Sequence, residues 1–441
     1  MASLIRGDWT HRRGDSGGAR AVSADIDKPR PSIAWSWGPE HGGRLDQVRI
    51  AGDHVVVATM ASGDPAAPDW AHAIVYVLDT ATGVEVARRV LPDPMPVAAL
   101  IVAAGEVHVV ATRRGEPIFW YILSSPDLTP RHRRAIVTMG SVEHDDVLDA
   151  WAAPNGELWL EIYAVAGEEQ RHLFVCVRAD AIAKSPATCG YEETPTVEGT
   201  AVARDACAEG SELFAPVEGR WSGTQSSVPP ALARLEPRQA TPLLSAQNLS
   251  WARATVVGPR AHLHAVAGGG AICAVVAAED PDRPQRARIE AFGIDRTSGA
   301  VLWRALSDRV ALRPPLAGHA RVARRPNGEI LFQGLGLEGA PSTPLVCARP
   351  DGRLDTILLG ARGRYVLDAA LGDTVLVHRE NKDGSVQVAG FAVDGEGRLL
   401  GRRAVETWAI DAGDLGGGTT VYAGGGAVMV RGARGLSAVR L

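Results

Sequence analysis

Long apolar runs are missing from this chain. Nowhere do about eighteen apolar residues follow one another, so nothing in it reads as a membrane-spanning helix. Export by the usual secretory leader is not expected either: Asp8, Arg12, Arg13 and Asp15 stand where such a leader would need an unbroken apolar stretch. Cysteine is scarce and odd in number, at positions 176, 189, 207, 273 and 347, with no close pair. That spacing argues against a disulfide or metal role, and it predicts buried free thiols in a reducing cytoplasm. There is no excess of positive charge. With 46 Lys and Arg against 51 Asp and Glu, the net charge is −5, and no basic stripe offers a nucleic-acid surface.

Catalytic signatures are equally thin. No Gly-x-Ser-x-Gly elbow occurs, and nothing else marks a nucleophile with its base. The glycine runs 268–270, 416–418 and 424–426 open no helix with Lys-Ser/Thr, so they read as turns and not as phosphate loops. His262 and His264 share one face of a strand, but no third metal ligand stands at a suitable spacing. Glu143 to Asp146 gathers carboxylates without the alternation of a calcium loop and reads as a solvated loop. Asn381 to Gly384 lies between two apolar runs and reads as a hairpin turn.

What the chain does have is turns and short apolar runs, with 49 Gly and 28 Pro and almost no helical periodicity over three turns. An all-β fold follows. The runs repeat. Val75-Tyr-Val-Leu-Asp-Thr-Ala-Thr-Gly83 returns as Ala291-Phe-Gly-Ile-Asp-Arg-Thr-Ser-Gly299, and weaker copies begin at Leu173, Pro344 and Val388. Fainter ones begin at Trp120, Ala231 and Leu436. Eight copies at intervals of roughly 40 to 60 residues are the signature of a radial repeat. In Asp-x-x-Thr-Gly the carboxylate accepts backbone N–H bonds two or three residues on, and Gly supplies positive φ, so the segment closes a hairpin. Upstream of most copies stands another strand opening on Gly-Asp or Gly-Glu, as at Gly52, Gly105, Gly156, Gly328 and Gly372, which makes four strands per unit.

The last unit ends at Leu441 without its fourth strand. Ser32-Ile-Ala-Trp-Ser-Trp37 looks like the missing outer strand, with Trp35 placed as Trp303 is. Both tryptophans read as packing residues between blades. The expected fold is therefore a β-propeller of about eight four-stranded antiparallel blades, with seven as the alternative count, closed by pairing of residues 33–37 beside 436–441. Residues 32–441 form the single domain, and residues 1–31, rich in Gly, Arg, Asp and Ser, read as a flexible arm.

Ala291 to Trp303 resembles the repeat of the pyrroloquinoline-quinone-like propellers, in which a strand, an Asp/Thr/Gly turn and a docking Trp recur in each blade. The resemblance implies the architecture over nearly the whole chain. The family includes quinoprotein alcohol dehydrogenases and a non-enzymatic propeller lipoprotein of outer-membrane barrel assembly. The chain lacks the adjacent cysteine pair of the former and the lipoprotein signal of the latter.

The expected function is a non-catalytic cytoplasmic scaffold or recognition subunit that holds protein partners on one propeller face, without cofactor, metal, nucleic acid or membrane insertion. A quinone-dependent or other propeller enzyme with its site at the central channel is the alternative. A sugar-binding propeller ranks last, because aromatics make up only 5%. The connections between second and third strands all emerge on one side of the disc, and three of them are long. They carry the candidate partner contacts Trp70, His72, Arg220, Trp221 and Arg283, since Trp and Arg dominate interface hot spots. The other reading of Trp70 and Trp221 is that each folds back over its own blade.

Overall fold

The computed structural model describes residues 4–6, 11, 20–25, 30–40, 43–60, 72–113, 117–136, 144–153, 155–166, 169–177, 188–189, 191–193, 200–202, 207–209, 212–219, 221–222, 225–226, 231–236, 239–244, 261–268, 271–279, 286–310, 321–325, 327–334, 343–359, 365–392 and 403–441. No helix occurs among them, so none is long and apolar enough to cross a membrane.

The chain forms eight antiparallel blades of four strands each. Blade 1 comprises Arg44–Ala51, His54–Met60, Ala73–Asp79 and Glu85–Val90, hydrogen-bonded in that order. The first strands of blades 2 to 8 are Val97–Ala103, His144–Ala152, the pair Thr200–Val202 and Cys207–Glu209, Ala261–Gly268, Arg321–Arg324, Val366–Leu371 and Thr420–Gly424. First strands of successive blades touch from blade 4 through blade 8 to blades 1, 2 and 3. They ring the axis. Eight, not seven, is the blade count.

Closure follows the expected route. Ser32–Trp37 pairs antiparallel with Leu436–Arg440, from Ser32 opposite Arg440 to Trp37 opposite Leu436, and supplies the outer strand of blade 8. The final repeat copy is offset, however. Val439 lies inside the third strand of blade 8 and not in a turn, because the chain ends before a fourth strand needs one.

Blades hold to each other through both faces of every sheet. In His54–Met60, Val55 and Val57 pack toward blade 8 while Val56 and Ala58 pack toward blade 2, all fully buried. This is why the strand reads as an unbroken apolar run and not as an alternation. Polar links between blades include side chains bound to backbone and ion pairs such as Arg325 to Asp373 at 3.3 Å and Arg296 to Glu212 at 3.2 Å. Gln47 donates to the Ala98 carbonyl at 2.8 Å and accepts from the Leu100 amide at 2.9 Å. Gln333 repeats the arrangement between blades 6 and 7, with Tyr365 O and Leu367 N both at 2.6 Å.

The turns obey their local chemistry. The Asp79 carboxylate accepts from the Thr82 amide at 2.8 Å and hydroxyl at 2.6 Å, and Gly83 has φ 71°. Asp295 binds Ser298 in the same way at 2.7 Å, before Gly299 at φ 70°. These hydrogen bonds favour the ionised carboxyl and hold both aspartates below the usual carboxylate range. Gly52, Gly105, Gly156, Gly328 and Gly372 all take positive φ between first and second strands. Asn381 to Gly384 is a hairpin turn, with Asp383 accepting from the Ser385 amide at 3.0 Å.

Two expectations change. His144–Ala152 is the first strand of blade 3, so His144 to Asp146 is not a loop; its polar residues pair backbone to backbone with Val165, Ala164 and Tyr163. The arm read as flexible contains strands. Leu4–Arg6 pairs with Ala21–Asp25, which runs parallel to Val366–Leu371 through Ala21 opposite Ala370 and Val22 opposite Leu371. An open strand edge recruits backbone whatever the composition of its side chains.

Candidate interaction face and central channel

The order of strands gives the two faces of the disc different characters. Turns between first and second strands, and between third and fourth, emerge on one face. Connections between second and third strands, and between blades, emerge on the other. On the first face the turns of blade 1 are two short glycine turns, at Gly52 and Gly83. On the second face the connections run over residues 61–72 in blade 1, 220–230 in blade 4, 280–286 in blade 5 and 334–342 in blade 6. They are tight at 167–168, 381–384 and 432–435 in blades 3, 7 and 8. Two third-to-fourth connections are long as well and fall on the first face, over residues 178–190 in blade 3 and 393–402 in blade 7, so the second face has four long connections and the first has two.

Of the candidate contacts, Trp70, Arg220 and Arg283 lie outside the described residues. Trp221 lies in a small hairpin of its own, Trp221–Ser222 paired with Gln225–Ser226, that stands off the sheet of blade 4. His72 closes the long connection of blade 1. Its Nδ1 lies 2.8 Å from the Leu91 carbonyl and must donate there, which ties the base of the loop to the end of the outer strand.

The channel is built from the free edges of the first strands. In blade 7 that edge is taken by Ala21–Asp25, and Leu4–Arg6 beside it touches the first strand of blade 8. His11, between these two strands, is buried. Burial first, then the charges of Arg49 in blade 1 and His108 in blade 2, push its pKa down to about 3.

Other buried titratable groups are committed to the frame. His108 accepts from Trp120 Nε1 at 3.2 Å, and burial lowers its pKa to about 4. Arg325 pairs with Glu329 at 2.7 Å, and Glu329 lies 3.4 Å from Arg349, which reaches Asp355 at 3.5 Å. His264 packs its ring against Phe332. Cys176, Cys207, Cys273 and Cys347 are free and buried, and burial raises the Cys273 and Cys347 thiols to about 11. They are packing residues. A group that sequence reading missed is Asp368, whose carboxylate holds His378 Nδ1 at 2.7 Å within blade 7, both side chains buried. Asp368 sits on a bulge, where the register skips from Leu367 to Ala369. Among the described residues, no three His, Cys, Asp or Glu side chains converge to hold a metal ion.

No family model matches the chain, and no curated protein matches it. Solved structures do. A quinohemoprotein alcohol dehydrogenase from Comamonas testosteroni is similar over 98% of this chain and 80% of its own, at 10% identity and TM-score 0.56. A europium-containing methanol dehydrogenase covers 97% and 90%, at 11% identity and TM-score 0.52. BamB from Moraxella catarrhalis covers 94% and 98%, at 11% identity and TM-score 0.50. At such identities the likeness concerns the fold alone: the chain has the architecture of a pyrroloquinoline-quinone-like eight-bladed propeller.

Proposed function

We propose that the protein is a non-catalytic cytoplasmic scaffold that holds protein partners on the face carrying most of its long connections. The observation that supports this most is the bias of the disc: four long connections, the second-to-third ones of blades 1, 4, 5 and 6, fall on one face, against two, the third-to-fourth ones of blades 3 and 7, on the other. Recognition surfaces are built in this way, as variable loops on an invariant frame. The occupied inner edge of blade 7 works against a reaction site on the axis. Trp70, Trp221, Arg220 and Arg283 are the proposed anchors, and His72 positions the loop that carries Trp70.

The test is to replace Trp70 and Trp221 together by Ala. The variant is expected to lose its native complex, with a true anchor costing about 2 kcal/mol of binding, while its melting temperature stays within about 2 °C of the parent. A large fall in melting temperature with the complex intact would show that the rings cover their own blades.

A further inference from the structure

The rim of the disc carries a second pattern, and it has twofold symmetry. Of the eight exposed large apolar residues among those described, six lie on or beside the outer strands of blades 1 and 5, Val84, Val86 and Val90 at one and Val301, Leu302 and Leu306 at the other; the remaining two are Met60 in the second strand of blade 1 and Ile33 in the outer strand of blade 8. Blades 1 and 5 lie opposite each other in a ring of eight. Counted from the aspartates of their turns, Asp79 and Asp295, the strands match at three alternate positions. Val86, Arg88 and Val90 correspond to Leu302, Arg304 and Leu306. The valines are 49% and 42% exposed and the leucines 57% and 51%, figures typical of arginine or lysine at such positions and not of core residues. Both strands also bulge at the same point, at Val86 and at Leu302, where the register skips one residue.

The outer strands of blades 2 and 6 show what belongs on such an edge. In blade 2, Pro130–Ile136 is covered by Thr188–Cys189, running parallel with Ala135 opposite Thr188 and Ile136 opposite Cys189. In blade 6, Leu354–Leu359 is covered by the start of Arg403–Asp414, running parallel with Leu358 opposite Arg403 and Leu359 opposite Ala404. The covering residues come from the next blade in each case. When the blades are superposed on the hydrogen bonds that close their turns, Asp79 N to Val84 O with Ser124 N to Thr129 O, and Asp295 N to Ala300 O with Arg349 N to Arg353 O, Val90 falls on Ala135 and Leu306 falls on Leu358. The positions that the chain covers for itself in blades 2 and 6 are therefore the ones left exposed and apolar in blades 1 and 5, where no described strand lies alongside.

We infer that the outer edges of blades 1 and 5 are two equivalent docking strips, each taking an extended segment of a protein partner as a fifth, parallel strand. The inference rests on the reading of the protein as a partner-binding scaffold and adds a second surface to it. Backbone pairing supplies the affinity and alternate side chains supply the selectivity. The segment it fits alternates apolar with acidic residues, because each strip presents an arginine between two apolar side chains. Arg88 stands only at the limit of ion-pair distance from Glu85 and Glu40, at 4.0 and 3.9 Å. Arg304 binds the buried Glu290, and its side chain remains 39% exposed. Apolar edges are what soluble propellers ordinarily blunt with charge. Two of them at opposite poles fit a partner with two binding segments, or two copies of one partner.

A short blocked peptide alternating valine with glutamate is the probe, titrated calorimetrically into the full chain. Two sites per chain are expected, with slowed amide exchange at 87–90 and 303–306. V90D and L306D should each leave one site, and the combined variant should weaken binding about tenfold or more, all without loss of melting temperature since both side chains are exposed. No saturable binding to the parent chain, or binding indifferent to the combined variant, overturns the strips. A concentration-dependent doubling of mass that V90D and L306D abolish would show a second copy of this chain on the edge, and overturns the partner segment. The scaffold reading fails separately, if the native complex survives loss of Trp70 and Trp221.

Discussion

The indole of Trp35 lies flat against Gly83, in contact with the backbone of a different blade. Its Nε1 donates to the Thr80 carbonyl at 2.9 Å, and a Cβ on Gly83 would stand 2.5 Å from the ring. Trp35 belongs to the strand that completes blade 8, and Gly83 to the hairpin of blade 1, so this contact fastens the two ends of the ring. The same seat recurs where the Gly299 turn of blade 5 meets Leu243 of blade 4, and where the Gly352 turn of blade 6 meets the Arg304 carbonyl of blade 5.

Gly83→Ala therefore meets two obstacles, a positive φ and an occupied space. It should destabilise the protein by about 2 to 4 kcal/mol, measured by denaturant unfolding. In a Trp35→Ala background the space is vacant, and the same substitution should cost only the backbone term, about 1 kcal/mol. Equal costs in both backgrounds would show that the ring does not press on Gly83.

Truncation separates the two uses of the N-terminus. Removing residues 1–31 bares the inner edge of blade 7 but leaves closure intact, so a moderate fall in melting temperature is expected. Removing residues 1–38 takes away the outer strand of blade 8 with Trp35, a side chain whose loss alone is worth about 3 kcal/mol, and should lower stability much further. Equal losses would contradict closure through residues 32–37.

Acid should destabilise the fold before the carboxylates titrate. His108 ionises near its ordinary value of 6.5 when unfolded but at about 4 in the native chain, because burial disfavours the imidazolium. Between those values the unfolded state binds a proton that the native state does not. Stability is full above pH 6.5 and falls as pH drops through the window, by on the order of 3 kcal/mol at its lower end. His108→Asn keeps an acceptor for Trp120 and should reduce the slope in that window, leaving the share of His11, whose pKa burial lowers to about 3; an unchanged profile would assign the acid loss elsewhere.

Much of this architecture was legible because its chemistry is local. An aspartate followed by a hydroxyl residue and glycine closes a hairpin in any context, so Asp79 and Asp295 marked their blades. The missing fourth strand could be inferred by counting strands. Trp35 spans two blades as expected, whereas Trp303 lies first over Gly293 of its own blade and beyond it on the packing shared with blade 6. The strand at Ala21–Asp25 was not legible, since backbone pairing to an open edge leaves no pattern in side chains. Asp368 was hidden for a related reason: a bulge turns a residue out of the alternation by which faces are read. The rim strips depend on comparing exposure between blades, which sequence alone does not carry.

The most direct measurement is amide exchange across the native complex and the free chain. Protection on binding is expected in residues 61–72, 220–230 and 280–286, on the face of long connections, with the glycine turns around Gly52, Gly83, Gly299 and Gly352 exchanging as before. Protection confined to those glycine turns, or unchanged exchange on both faces, would contradict a partner-binding surface built from the long connections.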